Sequence, residues 1–181
     1  MIKAFFKLCF KLTGWKMKGH RPNLKKYVVI VAPHTSNWDF FVGVAARSIS
    51  GLRSDFLAKN SLFKIPLVGW FLRKIGGHPV DRTKKLKMVD QVVELFNQHE
   101  EFVITITPEG TRSYNPDWKT GFYRIAHRAG VPIVMVGFDF EHKTVEYKEP
   151  FYPTGDIDKE VEEIKDYYRS IKGKYPEKGV I

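Results

Sequence analysis

His34 and Asp39 stand five positions apart in the segment Pro33-His34-Thr35-Ser36-Asn37-Trp38-Asp39-Phe40. An imidazole can act as a base near neutral pH. A carboxylate that accepts a hydrogen bond from one ring nitrogen fixes the tautomer and leaves the other nitrogen free to take a proton. On one regular helix a spacing of five would put the two groups on different faces. With His34 in the turn before a helix, the ring can fold back over the first helical turn and meet Asp39. The same residues also fit a loop histidine beside an aspartate that only caps a helix. A second polar cluster, Pro108-Glu109-Gly110-Thr111-Arg112-Ser113, joins an acid, a glycine and an arginine. Arg112 offers a planar fork matched to phosphate or carboxylate, and Gly110 permits a backbone conformation that other residues resist. A polar turn with a local Glu–Arg pair is the other reading of that cluster.

Each cluster follows an apolar run. Val28 to Ala32 reads as a buried strand that breaks at Pro33, and Phe102 to Thr107 reads as another. Ser36 or Asn37 is the expected N-cap of a helix through Ile49 that stops near Gly51, with Asp39 in its first turn, where the helix dipole favours a carboxylate. Further along come a short strand over Asp55 to Ala58 and a strongly apolar segment over 62–75. The segment suits a pocket for a long apolar ligand, a membrane contact or core. A turn and strand over Gly76 to Arg82 follow. Helices are expected from Thr83, with Leu86, Val89, Val93 and Phe96 inward, over Thr120 to Ala129, and after Asp156. Val131 to Gly137 is a buried strand, with Lys143 to Tyr147 beside it. Alternating strands and helices point to an α/β fold, with a mostly parallel or mixed central sheet flanked by helices. Parallel strands would bring His34 and Glu109 to the same sheet edge, where such sheets place their ligands.

The chain has 181 residues and a formal net charge of +10. Eight of its basic residues, from Lys3 to Lys26, precede the first acid, Asp39. Nucleic-acid binding is not expected, because the charge is gathered in one terminal segment rather than on a face of the folded domain. Residues 1–19 form a basic, aromatic-rich amphipathic helix with Lys3, Lys7 and Lys11 in one stripe, the composition of an anchor lying in a membrane interface. The alternative is a helix packed on its own domain with its lysines outward. The remaining residues, 20–181, form one domain. The single cysteine, Cys9, excludes an intramolecular disulfide. No apolar run is long enough to span a bilayer, no signal peptide is apparent, and no metal is expected, since His34 and Asp39 have no third ligand nearby.

Taken together, the motifs resemble those of the glycerolipid acyltransferase superfamily, the 1-acylglycerol-3-phosphate and lysophospholipid acyltransferases. The His-x4-Asp motif is His34 to Asp39. The arginine-bearing block is Gly77-His78-Pro79-Val80-Asp81-Arg82. The third motif is Pro108-Glu109-Gly110-Thr111-Arg112, and the fourth is Val131-Pro132-Ile133. The order and spacings match over residues 28–137. Pro33 stands where many members have Asn, and Thr107 where Phe is common.

The resemblance implies a glycerol-3-phosphate acyltransferase-like fold and transfer of a fatty acyl group to the hydroxyl of a lysophosphatidate-like lyso-lipid. The donor would be an acyl-CoA or acyl carrier protein thioester, used as co-substrate with no other cofactor. His34 would be the base and Asp39 its partner. Arg82, Arg112 and Lys59 would meet the acceptor phosphate, with Glu109, Gly110 and Thr111 in the substrate site. Backbone amides near Gly110 are candidates for the oxyanion. The enzyme would work as a peripheral protein at the cytoplasmic face of the membrane. Two alternatives are a lipid or thioester hydrolase using the same pair on water, and a non-enzymatic module for anionic membranes.

Overall fold

The computed structural model describes residues 2–80 and 85–181. Its elements are α1 (Ile2–Thr13), β1 (Lys16–Lys18), β2 (Lys26–Ala32), α2 (Trp38–Ser50), β3 (Asp55–Lys59), α3 (Asn60–Phe63), α4 (Pro66–Lys74), β4 (Gly77–Val80), α5 (Lys85–Gln98), β5 (Phe102–Ile106), α6 (Gly121–Ala129), β6 (Ile133–Asp139), β7 (Thr144–Tyr147) and α7 (Ile157–Arg169), with a 3-10 turn at Pro176–Lys178.

The described strands form one mixed sheet in the order β1-β7-β6-β2-β5-β3-β4. β2, β3, β4, β5 and β6 run parallel, and β7 turns back antiparallel on β6. β2 is central because it is apolar at nearly every position and buried on both faces, as a strand covered by helices on both sides must be. Its register sets Ile30 beside both Ile106 and Met135. The loops that leave the carboxyl ends of β2 and β5 therefore emerge side by side.

Two apolar layers sandwich the sheet. On one face α5, α6 and α7 pack Val92, Phe96, Phe122, Ile125 and Ile164 against Val28, Ile30 and Ile104. On the other, α2 and α1 pack Val42, Ala45, Ala46 and Phe10 against Tyr27, Val29 and Val31. The first layer is pinned by Tyr168, which is fully buried. Its hydroxyl donates to the Ile30 carbonyl (2.9 Å) and accepts from the Val136 amide (3.1 Å).

Several boundaries differ from the sequence reading. α1 ends at Thr13, because Gly14 takes a positive φ of 79° and lets Trp15 turn back onto Phe10 and Phe140. Lys16–Lys18, read as part of a basic segment, is an edge strand parallel to β7. Its lysines suit an unpaired edge. On α5 the inward face includes Val92, which is fully buried, while Val93 is half-buried. The apolar 62–75 segment contributes little to the core: Phe63 and Gly69 are buried, whereas Leu67, Trp70 and Phe71 are exposed. No helix among the described residues is long and apolar enough to cross a membrane.

Candidate active site

The site begins where β2 stops. Pro33 ends the ladder and the chain turns through His34, Thr35 and Ser36 into α2. Asn37 is the N-cap but makes no side-chain capping bond. Ser36 Oγ accepts from the Trp38 amide (3.1 Å), and Asp39 does most of the rest. Its Oδ2 accepts from the Thr35 amide (2.8 Å) and the Ser36 amide (2.9 Å). The carboxylate reaches back from the first helical turn to two amides of the turn that precedes the helix.

The same Oδ2 lies 3.0 Å from His34 Nδ1. In a neutral imidazole this assigns the hydrogen to Nδ1 and leaves the Nε2 lone pair available. Asp39 is 2% exposed at its side chain and His34 19%, so the carboxylate is sealed while the ring is reachable. The aspartate thus both braces the turn into α2 and partners the histidine.

Glu109 approaches from the loop after β5. Both carboxylate oxygens accept from the His34 backbone amide, at 2.9 and 3.0 Å. The residue is 3% exposed. Burial is the main cause that pushes its pKa up to about 7; the His34 amide opposes the rise and the nearby Asp39 carboxylate adds to it. The resemblance sets Glu109 in the substrate site. Among the described residues its carboxylate is met by the His34 main chain.

The loop that carries Glu109 is stapled down. The Gly110 amide donates to the Thr107 carbonyl (3.2 Å), the Lys119 amide to the Pro108 carbonyl (2.8 Å), and Asn115 Nδ2 to the Glu109 carbonyl (2.7 Å). Trp118 anchors the loop's far end in the core against Tyr168. Gly110 has φ +69°, which requires a glycine-like conformation. Its amide is bonded to Thr107 and so is not free for an oxyanion. Thr111 and Arg112 are exposed beyond it, and Arg112 has no carboxylate partner among the described residues. Lys59 ends β3 at the same sheet edge, paired in register with Val80. Arg82 lies outside the described residues.

Three contributors were not singled out from the sequence. Thr35 is buried, and its Oγ1 accepts from the Tyr175 amide (3.2 Å), so the segment after α7 closes on the site. Gly173 fits there because a Cβ would stand 2.7 Å from Thr35 Oγ1. Asn115 is the third. Thr35 and Gly173 depend on contacts distant in sequence, whereas Asn115 acts within its own loop, six residues from Glu109.

One group of three described side chains, Asp139, Glu141 and His142, could share a cation. It sits at the β6–β7 turn, where Glu141 and His142 are exposed and Asp139 is buried. There Asp139 already accepts from the Glu141 and His142 amides and meets the His142 ring at 2.7 Å.

The fold, a mixed sheet covered by helices, is shared with a solved protein. The crystal structure of the 1-acyl-sn-glycerophosphate (LPA) acyltransferase PlsC from Thermotoga maritima superposes with a TM-score of 0.61. The likeness covers 90% of this chain and 74% of that one at 24% identity, which speaks for the fold. Residues 16–139 match the acyltransferase family model, and the chain belongs to that family. It is 32% identical over 133 residues to the 1-acyl-sn-glycerol-3-phosphate acyltransferase of Escherichia coli, covering 69% of this chain and 53% of that protein. To the protein of the same name from Saccharomyces cerevisiae it is 30% identical over 129 residues, 67% of this chain and 41% of the relative. The chain thus spans about half the length of the curated relatives it matches.

Proposed function

We propose that this chain is an O-acyltransferase that moves a fatty acyl group from an acyl-CoA or acyl carrier protein thioester to the hydroxyl of a lysophosphatidate-like lyso-lipid. The observation that carries the reading is the 3.0 Å contact between His34 Nδ1 and a buried Asp39 oxygen that two backbone amides also hold. A hydroxyl is a weak nucleophile at neutral pH and needs a positioned base. His34 Nε2 takes the hydroxyl proton as the oxygen attacks the thioester carbonyl, and Asp39 steadies the imidazolium that forms. The tetrahedral intermediate collapses, the C–S bond breaks, and the imidazolium returns the proton to the departing thiolate. No covalent acyl-enzyme is needed. The Thr111 and Arg112 amides are the remaining candidates for the oxyanion once Gly110 is set aside. Arg112, with Arg82 and Lys59, is assigned to the acceptor phosphate.

The acceptor and product are lipids, and an anionic bilayer is the assigned partner. Support comes from exposed Ile2, Phe5 and Leu12 on α1 beside Lys3, Lys7 and Lys11, and from exposed Trp38, Phe40 and Phe41 at the start of α2, next to His34. Apolar side chains set among lysines suit a peripheral helix at the interface; the cytoplasmic leaflet is the side assigned.

The test is mass spectrometry of lipid extracts after incubation with acyl-CoA or acyl carrier protein thioesters and a panel of lyso-lipids, with His34→Ala as control. Acylation of one acceptor by the native sequence alone is expected. Free fatty acid without an acylated lipid would instead indicate a hydrolase. Equal transfer by His34→Ala would remove the proposed base.

A further inference from the structure

The sheet edge opposite His34 holds a second feature. At the amino ends of β3 and β4 lies an open cavity of about 630 Å3, lined by Arg47, Arg53, Arg73 and Lys74 together with Asp55 and His78. Its separation from the catalytic edge follows from register. Asp55 lies level with Ile104 in β5 and through it with Val28 in β2, and β2 runs four residues further, about 13 Å of extended strand, to Ala32 before His34. The volume is in the range of small-molecule sites.

Four cations line this space against one acid. The acid is already engaged, since Asp55 Oδ2 lies 2.6 Å from His78 Nε2. None of the four cations has a carboxylate partner among the described residues. Three are held by neighbours. Arg47 Nε donates to the Leu52 carbonyl (3.4 Å), Arg73 lies over the Phe63 ring at 5.4 Å, and Lys74 Nζ over the Trp70 ring at 4.9 Å. Such packing lowers the cost of ordering long side chains around a ligand. The helix dipole accounts for a cation in the last turn of α2 or of α4 taken singly. It does not account for Arg53, which lies in no helix, nor for the convergence of all four on one concavity.

We propose that this cavity is a phosphate-ester site distinct from the His34 centre. Arginine forks match phosphate oxygens in pairs, and several cations together suit a phosphomonoester or a diphosphate better than a single carboxylate. The chemistry has two sources. One is the phosphate headgroup of an anionic lipid, because α4, which supplies Arg73 and Lys74, also exposes Trp70 and Phe71. The other is the phosphate-rich end of a soluble thioester carrier.

Binding is measured on the full chain carrying His34→Ala, so that turnover consumes nothing. One probe is coenzyme A, by calorimetry; the other is co-sedimentation with phosphatidylcholine vesicles with and without phosphatidate. Arg53 and Arg73 are exposed. Their joint replacement by alanine is expected to weaken at least one probe about tenfold or more, with a partial return in the Arg53→Lys, Arg73→Lys protein. A control pair with the same loss of charge, Lys148→Ala with Lys159→Ala, lies away from the cavity and leaves both probes unchanged. Loss confined to coenzyme A assigns the soluble source, and loss confined to phosphatidate vesicles assigns the lipid. Unchanged binding of both probes, or an equal loss in the control pair, overturns the site. An inactive native sequence would sink the acyl-transfer reading and leave this measurement untouched.

Discussion

Replacing Glu109 by glutamine changes how stability depends on pH, and the sign follows from burial. In the folded chain the Glu109 carboxyl keeps its proton up to about 7, whereas the ordinary value, taken for the unfolded chain, is 4.5. Between those values the folded state binds more protons than the unfolded state, so this group's contribution is complete below the unfolded pKa and is lost as pH rises through about 7. The shift corresponds to about 3–4 kcal/mol, at 1.4 kcal/mol per pK unit. Glutamine presents a neutral oxygen to the His34 amide, much as the protonated acid does, but never ionises. The two proteins should therefore be nearly equal in stability at about pH 4 and below, where the unfolded carboxyl also keeps its proton, and Glu109→Gln should lead by roughly 3 kcal/mol near pH 8. Urea unfolding at a series of pH values reads the difference, with the slope checked for constancy. A gap that stays within about 0.5 kcal/mol across the range would mean that Glu109 ionises without penalty, and the account of its burial would fail.

Other perturbations separate the roles of neighbouring residues. Asp39→Asn should lower the acyl-transfer rate on the order of a thousandfold by removing the carboxylate that sets the His34 tautomer; initial rates decide it, and a loss under tenfold would argue against the pairing. Gly173→Ala places a Cβ 2.7 Å from Thr35 Oγ1 and should lower stability by about 1–3 kcal/mol, read as a fall in thermal midpoint. An unchanged midpoint would show that the closing segment is not tightly seated. Trp70→Ala with Phe71→Ala should weaken sedimentation with anionic vesicles while changing stability by less than about 0.5 kcal/mol, since both side chains are exposed. Undiminished sedimentation would take α4 out of the membrane-facing surface.

The amino-acid sequence by itself determined the frame. The unbroken apolar run Val28 to Ala32, ended by Pro33, specifies a covered strand, and the periodic apolar residues of α7 after the Asp156 cap specify a helix. Both signals are local, set by neighbours a few positions apart. The motif order was enough to draw the likeness to acyltransferases, and the fold places His34 and Asp39 in contact. Tertiary structure alone decided what each polar group touches. The sequence marks Glu109 only as the acid of a polar loop, and the register of β2 against β5 brings its carboxylate under the His34 amide, across 75 residues. Thr35 and Gly173 meet only because α7 returns the chain to the same edge. The exposure of Leu67, Trp70 and Phe71 likewise follows from which side of α4 the sheet covers. Hydrophobic pattern says which residues can be buried, but burial, and with it the pKa of Glu109, is settled by what packs on top.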